Sequence, residues 1–160
     1  MTVLVTGASG FVGGAVVRGL TQRGIAVRAM VRDAASAPAG VEVALADLGD
    51  AAALGRAVSG VRAVVHAAAL LGEFGRAAEF FAVNVAGTDR LMQEAAAAGA
   101  ERFVFIGSPS ALMAPDGGDQ LGIDETVPYP ARFLNSYCET KAVAEQLVLA
   151  ADTPEFTTCS

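Results

Sequence analysis

With 160 residues, 53% of them hydrophobic and 18% charged, the chain has material for one domain around a large buried interior. Its net charge of −6 comes with no basic stripe, which excludes nucleic acid as an expected partner; no run of roughly 18 residues is free of charge and glycine, which excludes a membrane span. Two cysteines without a CxxC, a single histidine and a start without a basic leader predict a reducing, cytoplasmic setting and no histidine-built metal site.

The first predicted strand covers residues 2–6 (TVLVT), and a helix over 11–23 follows, stopped by Gly24. Strands are predicted over 26–31 and 41–46, then a helix over about 50–59 and a strand over 62–66. A long helix over 77–98 ends at Gly99. A fifth strand covers 102–106, a loop rich in Pro, Gly and Asp covers 109–132, and a helix covers 135–151. A sixth strand runs over 156–159. Short β-branched runs alternating with Ala/Leu/Arg/Glu segments predict an α/β domain with a doubly wound parallel sheet. Such a sheet gathers the carboxyl ends of its strands on one edge, where ligands bind.

The first strand-to-helix turn reads Thr6-Gly7-Ala8-Ser9-Gly10-Phe11-Val12-Gly13, a GxxGxxG spacing. Gly7 permits the sharp turn, Gly10 lets the backbone approach a pyrophosphate, and Gly13 lets helix and strand pack closely. The helix N-terminus offers free N–H groups and a partial positive charge to phosphates. At the first βα junction of an alternating pattern, this turn predicts a Rossmann-type dinucleotide site.

The segment TGASGFVG resembles the cofactor turn of the extended short-chain dehydrogenase/reductase superfamily, and the resemblance extends over nearly the whole chain. That superfamily includes sugar-nucleotide epimerases and dehydratases, dihydroflavonol reductases and 3β-hydroxysteroid dehydrogenases. The resemblance implies that Ser9, Gly10, Phe11 and Val12 line the pyrophosphate. It implies that Asp47 and Leu48, after the third strand, contact the adenine, the carboxylate accepting its amino group. The small residues Ala67, Ala68 and Ala69 would let the cofactor lie against the end of the fourth strand. His66 reads as a packed strand-end residue rather than a catalyst. Asn84, in an NxxGT pattern with Gly87 and Thr88, would support the active-site backbone beside that strand. The expected organisation is one NAD(P)-binding domain over 1–160, cut before a C-terminal substrate-binding lobe.

The end of the second strand bears on cofactor choice. An NAD-selective site carries Asp or Glu there for the ribose hydroxyls; here the position holds Val31, followed by Arg32. A guanidinium binds a 2′-phosphate bidentately where a carboxylate would repel it, so NADP is favoured over NAD. Asp33 could take the ribose role if the register slips.

Tyr137 and Lys141 form a YxxxK pair at the start of the helix over 135–151. The i, i+4 spacing places phenol and ammonium on one face. A free phenol titrates near pH 10. A neighbouring ammonium favours its phenolate and makes proton exchange with a substrate oxygen feasible. The resemblance adds Ser108 as the hydroxyl that hydrogen-bonds the reacting carbonyl, with Ser110 as runner-up, and Lys141 as a ribose ligand. Gly107 stands where the common pattern has a first serine.

The stretches SPSA, DETxPYP and YxxTKAxAE look closest to the 3β-hydroxysteroid dehydrogenase-like branch. Leu70, Leu71 and Phe74 suggest an apolar wall and an apolar small-molecule substrate. The expected activity is alcohol/ketone interconversion by hydride transfer. The alternatives are a nucleotide-sugar epimerase or dehydratase that retains its cofactor, and a non-catalytic NAD(P)-binding regulator. Family members often dimerise through the two long helices, so a homodimer is a further expectation.

Overall fold

The computed structural model describes residues 1–118 and 120–160; residue 119, within the expected 109–132 loop, lies outside them. Six strands form one sheet in the order β3-β2-β1-β4-β5-β6. They are β1 (Thr2–Thr6), β2 (Ala26–Val31), β3 (Glu42–Leu45), β4 (Ala63–His66), β5 (Arg102–Phe105) and β6 (Thr157–Cys159). Every neighbouring pair is parallel. The order reverses between β1 and β4, and that switch point opens a crevice at the carboxyl edge. Thr6 sits level with Met30 on one side and His66 on the other, so the first turn emerges at the crevice.

Strand alternation explains the layers. Val3, Val5, Val27, Ala29 and Val31 point to one face and pack with Ala8 and Val17 of the turn and of α1 (Phe11–Gln22). Leu4, Met30, Val64, Phe103 and Phe105 point to the other. They meet α2 (Ala51–Val58), α4 (Gly87–Ala97) and α5 (Ser136–Ala150). Strands buried on both faces read as continuous apolar runs, as TVLVT does. Leu4, Leu54, Leu91 and Phe103 are fully buried in this second face.

The helix expected over 77–98 is not uniform. It runs as α3 (Ala77–Phe80), a π-helical turn (Phe81–Ala86) and then α4. The π turn widens the helix where Asn84 is needed sideways, at a position of the kind where such turns concentrate. One turn later Gly87 faces Leu48, and a Cβ there would lie 2.8 Å from the leucine Cβ. Between β2 and β3 only a 3-10 turn, Ala34–Ser36, intervenes. No helix of the described chain is long and apolar enough to cross a membrane.

Candidate active site

The glycine turn is built by close backbone approach. Gly7 has φ +62, and a Cβ on it would meet Ala67 and Ala68 backbone atoms at 2.8–2.9 Å. A Cβ on Gly13 would lie 2.2 Å from the Gly7 carbonyl oxygen. The Gly10 N–H closes the turn on Gly7 O at 2.9 Å. Gly10 is the N-cap of α1 but has no side chain to cap it, so the first N–H groups of the helix remain available to an anion. Ser9 and Gly10 are exposed, so the backbone of the turn and the Ser9 hydroxyl are open to a phosphate. A cavity of about 450 Å³ adjoins the turn, lined in part by Ser9, Gly10, Arg18 and Ser36 and by no carboxylate.

A buried polar chain fixes this turn to β4. The Thr6 hydroxyl oxygen accepts the N–H groups of Ala67 and Ala68 at 3.2 and 3.1 Å. It also meets His66 Nδ1 at 2.7 Å, while His66 Nε2 meets the Thr88 hydroxyl at 2.9 Å. The Thr88 hydroxyl donates to Asn84 O, so it accepts from Nε2–H, and Nδ1 accepts the Thr6 proton. This fixes the tautomer. Burial, with the Lys141 charge added, holds the imidazole down at about 3, so it is neutral at physiological pH.

Asn84 is 2% exposed and lies beneath the cleft rather than in it. Its Oδ1 accepts the Leu70 N–H at 2.7 Å, and its Nδ2 donates to Leu70 O and to the Thr140 hydroxyl. The amide therefore acts on the site through the backbone of Leu70 and through α5. Leu48 is likewise turned inward: its side chain joins the core and its carbonyl accepts from Arg90. Asp47 is exposed, with Oδ1 accepting the Gly49 N–H at 2.8 Å. Arg32 is exposed at the end of β2. Asp33, the alternative ribose ligand, is engaged as the cap of the 3-10 turn, its Oδ1 accepting the Ala35 N–H.

Asn135 caps α5 by accepting the Cys138 N–H, which starts the helix at Ser136 and puts Tyr137 in its first turn. Tyr137 is half-buried. Lys141 is 4% exposed; its Nζ donates to Ile106 O at 2.7 Å and sits 3.9 Å from the Phe105 ring centroid. Burial lowers this ammonium to about 8, with the Glu145 carboxylate pulling the other way. One of its three N–H donors is spent on the end of β5, immediately before Gly107 and Ser108. Ser108 begins the 3-10 turn Pro109–Leu112 and its Oγ accepts the Ser110 N–H; the two hydroxyls are 2.6 Å apart. Both serines are half-buried. The glycine turn, Ala67–Ala69, Ser108 and Tyr137 all follow strand ends or open α5, so the topology gathers them at one sheet edge.

The inventory of titratable groups narrows the chemistry. The chain has two tyrosines. Tyr129 is raised to about 12 by burial and by the Glu145 carboxylate that its hydroxyl bonds, the wrong direction for a base. No cluster of three or more His, Cys, Asp or Glu side chains suited to a metal exists among the described residues. The sequence reading missed the partners of His66 and the Tyr129–Glu145 bond. The Thr of NxxGT, the i+4 step from Lys141 to Glu145 and the glycine at 107 were the available signals.

Comparison with known proteins agrees with this fold. The model of the NAD dependent epimerase/dehydratase family matches residues 3–159. A 3 beta-hydroxysteroid dehydrogenase/Delta 5→4-isomerase of Mycobacterium tuberculosis is 42% identical over 158 residues, covering 92% of this chain and 42% of that protein. A 2-alkyl-3-oxoalkanoate reductase of Stenotrophomonas maltophilia is 41% identical, covering 95% of this chain and 47% of the relative. Among solved structures, a short-chain dehydrogenase/reductase superfamily protein of Agrobacterium tumefaciens with bound NAD superposes with a TM-score of 0.84 at 34% identity, over 99% of this chain and 47% of that one. The chain thus spans less than half the length of each of these proteins.

Proposed function

Because the chain belongs to the NAD dependent epimerase/dehydratase family, we propose that it is the cofactor-binding and proton-transferring part of an oxidoreductase that interconverts an alcohol and a ketone. The observation that carries this reading is the placement of Tyr137, Lys141 and Ser108 on the sheet edge that also carries the glycine turn. A nicotinamide dinucleotide fits the residues present: free N–H groups at the start of α1 would hold its diphosphate, and the small residues Ala67–Ala69 would leave it room at the end of β4. When bound, its nicotinamide supplies or accepts hydride. Tyr137 exchanges a proton with the substrate oxygen, and Ser108 hydrogen-bonds that oxygen. The Lys141 ammonium, tied to Ile106 O by one donor, has donors left for a ribose.

The relatives named as hydroxysteroid dehydrogenase and oxoalkanoate reductase support an apolar substrate, as do Leu71 and Phe74, 70% and 91% exposed beside the end of β4. Solved neighbours that include a UDP-glucose 4-epimerase with NAD support the second reading, hydride passed out and back on one sugar nucleotide. Net consumption of NADPH on addition of ketones separates the two. Stoichiometric consumption supports the reductase; isomerisation of a sugar nucleotide without net consumption overturns it. A cytoplasmic homodimer paired through α4 and α5 belongs to the same proposal, supported by exposed Ala96 and Ala97 on α4 and exposed Leu147, Leu149 and Ala150 on α5.

For the cofactor, the proposal is NADP. Arg32 is exposed directly after β2, Val31 stands where an acid is expected in an NAD-selective site, Asp33 caps a turn, and Arg18 and Ser36 line the cavity beside the glycine turn. A charge-assisted bond to a phosphate gives the size of the effect. Arg32→Ala should weaken NADP(H) binding by about 10- to 100-fold and leave NAD(H) nearly unchanged, as read by fluorescence titration. Equal losses for both dinucleotides would show that Arg32 does not read the 2′-phosphate.

A further inference from the structure

Glu145 lies one helical turn beyond Lys141, so Tyr137, Lys141 and Glu145 share one face of α5. Its carboxylate is divided between two partners from distant parts of the chain. Oε2 accepts the Tyr129 hydroxyl at 3.0 Å, and Oε1 accepts the Ser160 hydroxyl. Tyr129 sits in the segment that joins β5 to α5; Ser160 follows β6. Gly107 makes the space. A Cβ at that position would come within 2.9 Å of Glu145 Oε1 and 2.7 Å of Ser160 Oγ. The place where the common pattern has a serine is therefore taken up by this carboxylate and its partner.

The segment held by Tyr129 has few other attachments among the described residues. Leu134 N–H bonds Met113 O at 2.9 Å and Gln120 bonds Leu112 O at 2.6 Å. It also carries Leu121 and Ile123, 84% and 40% exposed. A loop with apolar side chains in solvent and so few ties needs a specific anchor to keep one position.

We propose that Glu145 is a positioning residue: it clasps the segment between β5 and α5, through Tyr129, against the helix that carries Tyr137 and Lys141, and so sets the substrate-side wall of the cleft. The inference rests on the proposed function only for where substrate sits; the clasp itself is testable without cofactor or substrate. Arg132, exposed in that segment, is a tryptic site three residues from Tyr129.

Limited trypsin digestion, with cleavage after Arg132 followed by mass spectrometry, should be about tenfold faster in Tyr129→Phe and Glu145→Ala than in the unmodified chain. Glu145→Gln, whose amide oxygen still accepts the phenol proton, should digest at the original rate. Affinity for NADPH should stay within twofold in all three. With a turned-over ketone, Tyr129→Phe should raise KM while kcat holds. Tyr129→Phe removes a single hydroxyl, so it remains informative if Glu145→Ala folds poorly. Unchanged cleavage in Tyr129→Phe overturns the proposal, as does Glu145→Gln digesting as fast as Glu145→Ala, or a fall in kcat at constant KM. If the unmodified chain binds no dinucleotide while the order of digestion rates holds, the functional reading fails and the clasp stands.

Discussion

Tyr137→Phe should abolish turnover and leave the fold and the bound dinucleotide intact. Losing a positioned proton donor costs about 10²- to 10⁴-fold in rate. Among the described residues, no other side chain is placed to substitute. Tyr129 is held protonated at about 12 by burial and by Glu145, and His66 is fully buried and held down at about 3. The change is also gentle on the structure. The Tyr137 hydroxyl has no hydrogen-bond partner among the described residues, so its removal orphans nothing, and stability should move by less than about 0.5 kcal/mol. Steady-state rates, a fluorescence titration with NADPH and a thermal melt check the three parts. Retained turnover in the variant would remove Tyr137 from the chemistry. A parallel loss of cofactor affinity would make it a binding residue instead.

Gly13→Ala should damage the cofactor site by geometry alone. The added methyl would sit 2.2 Å from the Gly7 carbonyl oxygen and 2.6 Å from its carbon, both backbone atoms of the turn. Neither is the end of a flexible side chain, so the turn itself must shift. Gly7 cannot move freely, because it already lies against the backbone of Ala67 and Ala68. Overpacking of this kind costs about 1–3 kcal/mol. The shift should also misdirect the N–H groups that face the diphosphate and weaken NADPH binding by about tenfold or more. Gly24→Ala is the matched control. Its φ of +71 imposes a backbone penalty of about 1–2 kcal/mol, but nothing lies within 4 Å and it is at the far end of α1. Equilibrium denaturation should show both variants destabilised, with NADPH affinity reduced only in Gly13→Ala.

What was legible in the amino-acid order was local. TVLVT and its turn, the alternation of strands and helices, and the i, i+4 spacing of Tyr137 and Lys141 each depend on neighbours within a few residues. β1 and β2 fall at the bounds expected for them. What was not legible depends on contacts across long stretches of chain. His66 finds Thr6 at a separation of 60 residues and Thr88 at 22, and nothing in its local sequence distinguishes it from any packed histidine. The π turn around Asn84 has a helical pattern; it widens because Leu70 and Thr140, 14 and 56 residues away, engage the amide. Leu48 reads as a cleft residue next to Asp47, yet Gly87 opens a space that takes its side chain into the core. The Tyr129–Glu145 clasp joins a loop to a helix, and only the glycine standing in for serine at 107 hinted that something else occupies that space.

A crystal structure of this chain grown with NADP⁺ reads directly where a dinucleotide lies. It should show the diphosphate against the backbone of Ser9–Val12, the adenosine end beside Arg32 and Asp47, and the nicotinamide beside Tyr137 and Ser108. Nucleotide density elsewhere on the surface, or a nicotinamide held away from the Tyr137 hydroxyl, would contradict it.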